Sequence, residues 1–227
     1  MSEICCATGA ADGSGRKFSQ GYDPTIMNAL LFSGLVFQSL VLAEEPHYDF
    51  WTLLSKRAPL CLSFFKLLHT KLTSLEIGCD PVQTPGCAAE PNGNGWNDGV
   101  IYYDPNFATN GNNELYVKKQ FWTYKHFGNF VKPGTQRLPI TGSDSTKNSM
   151  LAASNSTTIV VIAMNTGSGD STLSLTFPED VCARGGFRTS GTEDFADIPA
   201  ATGSGVNWNL GLAALSLNSY IFDRAAC

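Results

Sequence analysis

The chain has 227 residues, of which 43% are hydrophobic and 15% charged, so it can bury one large core or two modest ones. Its net charge of −5 and its scattered Lys and Arg residues argue against a nucleic acid partner, since phosphate backbones are bound by clustered basic side chains. The seven cysteines form no CxxC pair and only three histidines are present, which favours disulfides over a zinc site. We expect no metal or cofactor.

The first part of the chain is predicted to have the strand–helix–strand order of an α/β unit. The opening "MSEICC" is typical of the end of a buried strand, and "HYDFWTLLS" predicts a second strand. Between them an apolar helix is predicted, with Asp23 as its N-cap, Pro24 in its first turn and apolar residues from Leu30 to Leu42. Polar residues interrupt this helix, so we interpret it as buried between protein layers and not as a membrane span.

The second part begins with another predicted helix, after which the spacing of apolar residues changes from a helical to a strand pattern. The segment "ELYVKKQFWTYKHFGNFVKPG" has apolar residues at three- and four-residue spacing, which predicts a helix that ends at Pro133 and Gly134. The runs "TIVVIAMNTG", "STLSLTF" and "NSYIF" then predict strands. We therefore expect an antiparallel β-sandwich over residues 135–227 and a separate domain over residues 1–134.

Several features favour an oxidising compartment. Cys79 and Cys87 close the short loop "CDPVQTPGC" and are disulfide candidates, while Cys227, the last residue, is placed to anchor a terminus. Asn155 begins the glycosylation sequon "NST". The opening residues lack the pattern of a signal peptide, so we expect either a cytosolic protein or a natural N-terminus that lies upstream.

Two long segments carry a resemblance to a known family. The stretch "WNDGVIYYDPNFATNGNNELYVKKQFWTYKHFGNFVKPGTQRL" and the tail "LNSYIFD" resemble the C-terminal half of fungal members of glycoside hydrolase family 30, in particular endo-β-1,6-galactanase-like proteins. The resemblance implies a TIM-type barrel with a side β-sandwich, and hydrolysis with retention by two glutamates. It also implies that this chain holds barrel strands seven and eight, their helices and most of the sandwich.

The resemblance assigns the role of catalytic nucleophile to Glu3. "MSEICC" corresponds to barrel strand seven, and catalytic groups of such barrels lie where the strand-to-helix loops converge. A retaining enzyme needs this carboxylate about 5–5.5 Å from a second carboxyl group that protonates the leaving oxygen. The family's acid/base lies on strand four, which would precede Met1, so we expect a truncated chain that is inactive alone. A solvated glutamate near a chain end is the alternative for Glu3.

Three aromatic residues are candidates for substrate binding. Trp51 matches an aromatic residue at the family's sugar-binding rim, where an indole ring stacks on a pyranose; Tyr48 is a weaker candidate. Core packing is the alternative for both. Trp96 lies in "GNGWNDGVIYY", where substrate contact and a simple turn role are both open.

One segment has no counterpart in the family. Residues 56–78 are rich in Leu, Phe, Lys and Thr. They include Cys61, which makes the cysteine count odd. We interpret the segment as a retained intron translated in frame. A genuine lid or a short amphipathic helix is the alternative.

The resemblance thus implies a secreted, monomeric retaining glycosidase that acts on plant or fungal cell-wall polysaccharide, with β-1,6-galactan as the substrate and no membrane partner. A glycosidase of the same family that acts on glucosylceramide, β-glucan or xylan is the alternative, because the resemblance alone does not identify the sugar. A non-catalytic carbohydrate-binding sandwich is the alternative from another class, and an inert product of a faulty gene prediction is a third.

Overall fold

The computed structural model describes residues 3–5, 24–44, 49–51, 100–103, 111, 113–142, 149–225 and 227. These residues form mostly antiparallel sheets together with two α-helices. The chain divides into two compact units, Met1–Pro24 with Asp49–Lys118, and Thr25–Tyr48 with Lys119–Cys227. The predicted domain boundary at residue 134 stays a prediction.

The first unit contains two short pairs of strands. Strand β1 (Glu3–Cys5) pairs in parallel with strand β2 (Asp49–Trp51). Strands β3 (Ile101–Tyr103) and β4 (Leu115–Val117) form an antiparallel pair. Strands β1 and β2 lie within the two segments for which the sequence predicts strands.

The described residues of the second unit form two α-helices and nine strands. Helix α1 covers Ile26–Phe37 and continues as a π-helical turn over Gln38–Leu42, and helix α2 covers Lys119–Phe130. The strands are β5 (Gln136–Leu138), β6 (Met150–Ser154), β7 (Thr158–Asn165), β8 (Ser171–Thr176), β9 (Cys182–Thr189), β10 (Ala196–Ile198), β11 (Thr202–Ser204), β12 (Asn207–Leu212) and β13 (Ser216–Asp223).

Helix α1 begins later than the sequence predicts. Thr25 is the N-cap, with an extended backbone and a side-chain oxygen that accepts a hydrogen bond from the backbone N–H of Asn28 at 3.4 Å. The assignment of Asp23 as the cap and of Pro24 to the first turn is therefore wrong, because Pro24 precedes the cap. Most side chains of α1 are buried, as predicted, and no helix of the described residues is long and apolar enough to cross a membrane.

Helix α2 is shorter than the predicted segment 114–134. Its expected first turn is instead strand β4, because the β-branched and aromatic residues of Leu115–Val117 suit an extended backbone. The helix ends at Phe130, and a turn follows in which the N–H of Thr135 donates to the oxygen of Lys132 at 2.9 Å. Gly134 lies in this turn with a φ of 88°, which a residue with a side chain rarely adopts.

Two antiparallel sheets of the second unit enclose a shared apolar core. One sheet has the order β10-β9-β13-β7-β6-β5 and the other β11-β12-β8. Alternate residues of β7, β12 and β13 point between the sheets, as expected for strands buried on one side. The buried core residues are Met150, Ala152, Ile159, Val161, Ala163, Phe177, Val181, Ile198, Ala201, Trp208, Leu210, Leu212, Tyr220 and Phe222.

The opposite face of the six-stranded sheet is buried as well. Val160, Ile162 and Leu217 alternate with the core residues and have almost no exposed surface. Helices α1 and α2 cover this side, and they contact each other through edge-to-face ring pairs, Phe37–Phe127 at 5.2 Å being the closer. The second unit therefore has three layers: helices, a six-stranded sheet and a three-stranded sheet.

A disulfide joins Cys182, at the start of β9, to Cys227, with 4.9 Å between their Cα atoms. The prediction that Cys227 anchors the end of the chain is confirmed. Arg224 adds an ion pair in the same region, since its guanidinium contacts the Glu179 carboxylate at 2.7 Å.

We expect loss of this disulfide to destabilise the second unit. The bridge closes a separation of 45 residues, for which the chain-entropy model gives about 4 kcal/mol of the free energy of unfolding. Urea denaturation should show a lower midpoint for Cys182→Ser and an equal loss for Cys227→Ser. The double variant should lose no more than either single variant, and midpoints equal to that of the unaltered chain would contradict the structural role.

Candidate functional site

The residues with the clearest catalytic interpretation lie on the parallel pair β1 and β2. Glu3 is opposite Asp49, Ile4 is opposite Phe50 and Cys5 is opposite Trp51. Since positions alternate between the two faces of a strand, positions 3, 5, 49 and 51 share one face of the pair. The backbone thus brings positions 3 and 51 to within roughly 8 Å, from the usual spacings between strands and along them.

From the sequence, Asp49 is expected to lie within a strand, which makes it a poor candidate for the second catalytic carboxyl group. It lies directly opposite Glu3 in the register, although nothing in the sequence pairs two carboxylates that are 46 positions apart (49 − 3). Only a parallel register between β1 and β2 reveals the proximity.

Several predicted site residues lie outside the described part of the chain. They are Tyr48, Trp96, Cys79 and Cys87, and segment 56–78 with Cys61 lies outside it too. Their assigned roles stay predictions. For Glu3 and Trp51 the structure gives the backbone register and the strand, so the nucleophile and subsite roles also stay predictions.

Among the described residues of the second unit, His126 of helix α2 is a buried histidine. Its Nδ1 lies 2.7 Å from the Ser219 hydroxyl of β13, and its Nε2 lies 3.0 Å from the Thr189 hydroxyl of β9. Burial, and secondly the positive charge of Lys125, lowers the pKa of His126 to about 3. The imidazole is therefore neutral at physiological pH and joins the helix to two strands.

Charged residues next to this histidine fix the loop between β9 and β10. The Arg188 guanidinium makes two hydrogen bonds of 2.6 Å to the Glu193 carboxylate, which also accepts one from the Ser190 hydroxyl at 2.7 Å. The hydrogen bond from Arg188 lowers the pKa of Glu193. Lys119 of α2 contacts the Asp194 carboxylate at 2.6 Å, so both loop carboxylates are paired with a cation.

These groups form a scaffold, and none of them is arranged as a catalytic pair. Both ring nitrogens of His126 are engaged, and the carboxylates of Glu193 and Asp194 are neutralised by ion pairs. Within the described residues, no three His, Cys, Asp or Glu side chains lie close enough together to hold a metal ion.

The sequon at Asn155 occupies an exposed hairpin turn between β6 and β7. The side-chain oxygen of Asn155 accepts hydrogen bonds from the backbone N–H groups of Thr157, at 3.0 Å, and Thr158, at 2.9 Å. This Asx-type turn holds the asparagine at the tip of the hairpin.

Comparison of the structure with solved structures gives one consistent fold. A GH30 endoxylanase from Clostridium papyrosolvens C71 superposes with a TM-score of 0.58 and 16% identity, covering 98% of this chain and 41% of that one. The catalytic domain of GH30 xylanase C from Talaromyces cellulolyticus gives 0.56 and 18%, with coverage of 97% and 40%. A conserved exported protein from Bacteroides fragilis gives 0.59 and 16%, with coverage of 97% and 38%.

The chain has a glycosidase-like fold. It spans about two fifths of the length of these structures, and its sheets and two helices are consistent with the C-terminal part of a GH30 domain. Neither a protein-family model nor a curated protein sequence matches the chain. At 16–18% identity the likeness concerns the fold, and the substrates of these enzymes are not transferred by it.

We expect His126 to make the stability of the second unit depend on pH. Its pKa is about 3 in the folded state and about 6.5 in an unfolded chain, so between these values only the unfolded state binds the proton. The free energy of unfolding should then fall as the pH falls, by about 2 kcal/mol between pH 7.5 and pH 5. Urea denaturation at the two pH values measures this difference.

The matched variant is His126→Gln, which keeps a polar group in the core but does not titrate. It should be less stable than the unaltered chain at pH 7.5, and it should lose most of the difference between the two pH values. An unchanged pH dependence in this variant would assign the effect to other groups.

Proposed function

We propose that the chain is the C-terminal portion of a retaining glycoside hydrolase of the endo-β-1,6-galactanase-like type, built from the end of a TIM barrel and a side β-sandwich. The observation that carries the proposal is the parallel pairing of β1 and β2, which joins the strand of Glu3 to the strand of Trp51. The glycosidase-like fold and the two sheets around a common core support it.

In this proposal Glu3 is the nucleophile. Its carboxylate oxygen attacks the anomeric carbon, the glycosidic bond breaks, and the electron pair leaves with the aglycone oxygen, which a second carboxylic acid protonates. Water then hydrolyses the glycosyl ester. Trp51 lies two positions along the same face and would stack on the sugar ring next to the bond that is cut.

The proposed substrate is a plant or fungal cell-wall polysaccharide, with β-1,6-galactan first because of the resemblance to endo-β-1,6-galactanase-like proteins. Xylan is the second candidate, since three of the structures that share the fold are named as GH30 xylanases. The two candidates differ in the sugar ring and the linkage, so paired probes separate them directly.

An activated substrate tests Glu3 in the 227-residue chain itself. A 2,4-dinitrophenyl leaving group departs without protonation, so the first step requires the nucleophile and no acid. We expect the 2-deoxy-2-fluoro dinitrophenyl glycoside of β-1,6-galactobiose to release one equivalent of dinitrophenolate and to leave a covalent adduct on the peptide that contains Glu3. Absorbance and peptide mass spectrometry measure the two products, and the xylobiose analogue tests the second candidate.

The controls separate the nucleophile from unspecific reaction. Glu3→Gln should abolish both the release and the adduct, whereas Glu114→Gln, at an exposed carboxylate of the same unit, should leave them unchanged. Near-ultraviolet circular dichroism establishes that each variant is folded. Adduct formation on another carboxylate, or its absence in the folded chain with both probes, would show that Glu3 is not the nucleophile.

We also propose that the protein is secreted and monomeric. The Cys182–Cys227 disulfide supports secretion, because such bridges persist in oxidising compartments, and the sequon lies on an exposed turn.

Secretion from a eukaryotic host should therefore yield a chain that carries a glycan at Asn155. Digestion with an amidase that removes N-linked glycans should increase its electrophoretic mobility. Asn155→Gln should migrate like the digested chain, and secreted protein that is unaffected by digestion would contradict the proposal.

A further inference from the structure

The loop between β9 and β10, residues 190–195, places an aromatic ring against the buried His126. The centroids of the Phe195 and His126 rings are 4.7 Å apart, in an edge-to-face arrangement. Thr192 and Asp194 of the same loop are exposed, whereas the two hydroxyl residues that contact His126 from the sheet have no exposed surface. The loop therefore lies between this imidazole and solvent.

Phe195 holds a strained backbone conformation. Its φ is 54°, in the left-handed region that a residue with a bulky side chain rarely occupies and that costs free energy unless packing holds it. The Phe195 ring stacks on the ring of Phe187 at 4.4 Å, and the Lys125 ammonium lies 4.4 Å from its centroid. These contacts hold the residue in place, so opening of the loop would release the strain.

The loop and the histidine share one hydrogen-bonding group, the Thr189 hydroxyl. Its oxygen accepts a hydrogen bond from the backbone N–H of Phe195 at 3.1 Å, and it lies 3.0 Å from Nε2 of His126. Opening of the loop would remove the first of these contacts and bring water to the second. The position of the loop and the hydrogen bonds of the imidazole are therefore coupled.

Ion pairs and a backbone hydrogen bond hold the loop closed. Arg188 is paired with Glu193, and Lys119 is paired with Asp194. The backbone N–H of Ser190 also donates to the backbone oxygen of Glu193 at 3.0 Å, which closes the loop on itself. The closed loop is thus the stable state while both ion pairs are intact.

The surroundings of His126 oppose a positive charge on its ring. Lys125, the preceding residue on the helix, is a cation. Helix α1, over Ile26–Phe37, contains no ionisable side chain, and Thr189 and Ser219 on the sheet are neutral. The two carboxylates of the loop are already paired with cations. No carboxylate among these neighbours is free to stabilise an imidazolium while the loop is closed.

We propose that the loop between β9 and β10 is an acid-sensitive cover, which opens when His126 gains a proton and exposes the rings of Phe130 and Phe187. Both ring nitrogens of the histidine contact hydroxyl groups, and the hydroxyl that donates to the neutral ring has to turn away once both nitrogens carry protons. Phe130 and Phe187 become exposed because both pack against Phe195. The opening is independent of catalysis.

The size of the effect follows from the two protonation equilibria. The pKa of His126 is about 3 in the closed state, and it returns to about 6.5 when the ring reaches water. Between these values only the open state binds the proton, so the closed state loses stability as the pH falls. From pH 7.5 to pH 5 the open fraction should rise by up to about 30-fold. Glu193 adds little over this range, since the ordinary pKa of its carboxyl, 4.5, already lies below pH 5.

Hydrogen exchange of the 227-residue chain, followed for single amides by NMR, tests the proposal. The N–H groups of Ser190 and Phe195 report on the loop, and that of Phe177, which donates to Val206, reports on the three-stranded sheet. After correction for the intrinsic rates, protection of the two loop amides should fall by up to about 30-fold between pH 7.5 and pH 5. Low urea concentrations should not change it, because a local opening exposes little surface. The Phe177 amide should be better protected at both pH values and should respond to urea.

Two variants separate the proton from the ion pair. His126→Gln should remove the pH dependence of loop protection. Glu193→Gln should lower that protection about tenfold at both pH values and keep their ratio, since it weakens the hydrogen bonds from Arg188. Thr192→Ala, at an exposed position of the same loop, is the matched control and should behave like the unaltered chain.

The measurement on the unaltered chain decides the proposal even if a variant fails to fold. Loop amides whose protection is independent of pH, or depends on urea as the Phe177 amide does, would overturn it. A full pH dependence that persists in folded His126→Gln would overturn it as well, because another group would then drive the opening.

Discussion

Burial of strand β13 on both faces is the constraint on which the second unit depends. The strand pairs with β7 and β9, directs Tyr220 and Phe222 towards the three-stranded sheet, and directs Leu217 and Ser219 to the helical side. A strand that is covered on both sides needs two apolar layers, and neither forms without the other elements. The helices α1 and α2 are therefore part of this unit although they precede all of its described strands in the chain.

The buried polar groups on the helical side determine how the layers fit together. His126, Ser219 and Thr189 would each lose hydration without compensation if the helix shifted, because their hydrogen bonds link α2 to β13 and β9. The backbone N–H of Phe195 also donates to the Thr189 hydroxyl, at 3.1 Å, which ties the β9–β10 loop to the same point. Apolar packing supplies most of the stabilisation, and these bonds select one arrangement of it.

The sequence predicted elements better than their ends or their partners. The apolar runs in β7 and β8 and the buried helix α1 were predictable because their patterns extend over six residues or more. The three-residue strands β10 and β11 were not, since they depend on pairing with a neighbour. Helix α2 was predicted too long because "LYV" continues its apolar spacing, and the pairing of β4 with β3 decides that segment. The nearness of Asp49 to Glu3 depends on register in the same way.

The two faces of the three-stranded sheet illustrate how one strand serves burial and solubility at once. In β12, Trp208 and Leu210 bury apolar surface, and the asparagines between them point to solvent. Charged residues at the outward positions would satisfy solubility equally well, and the unit uses charges freely elsewhere, as in the Arg188–Glu193 pair. At these outward positions neutral side chains pair across the strands instead, since the Ser174 hydroxyl donates to Asn209 and the Thr176 hydroxyl donates to Asn207.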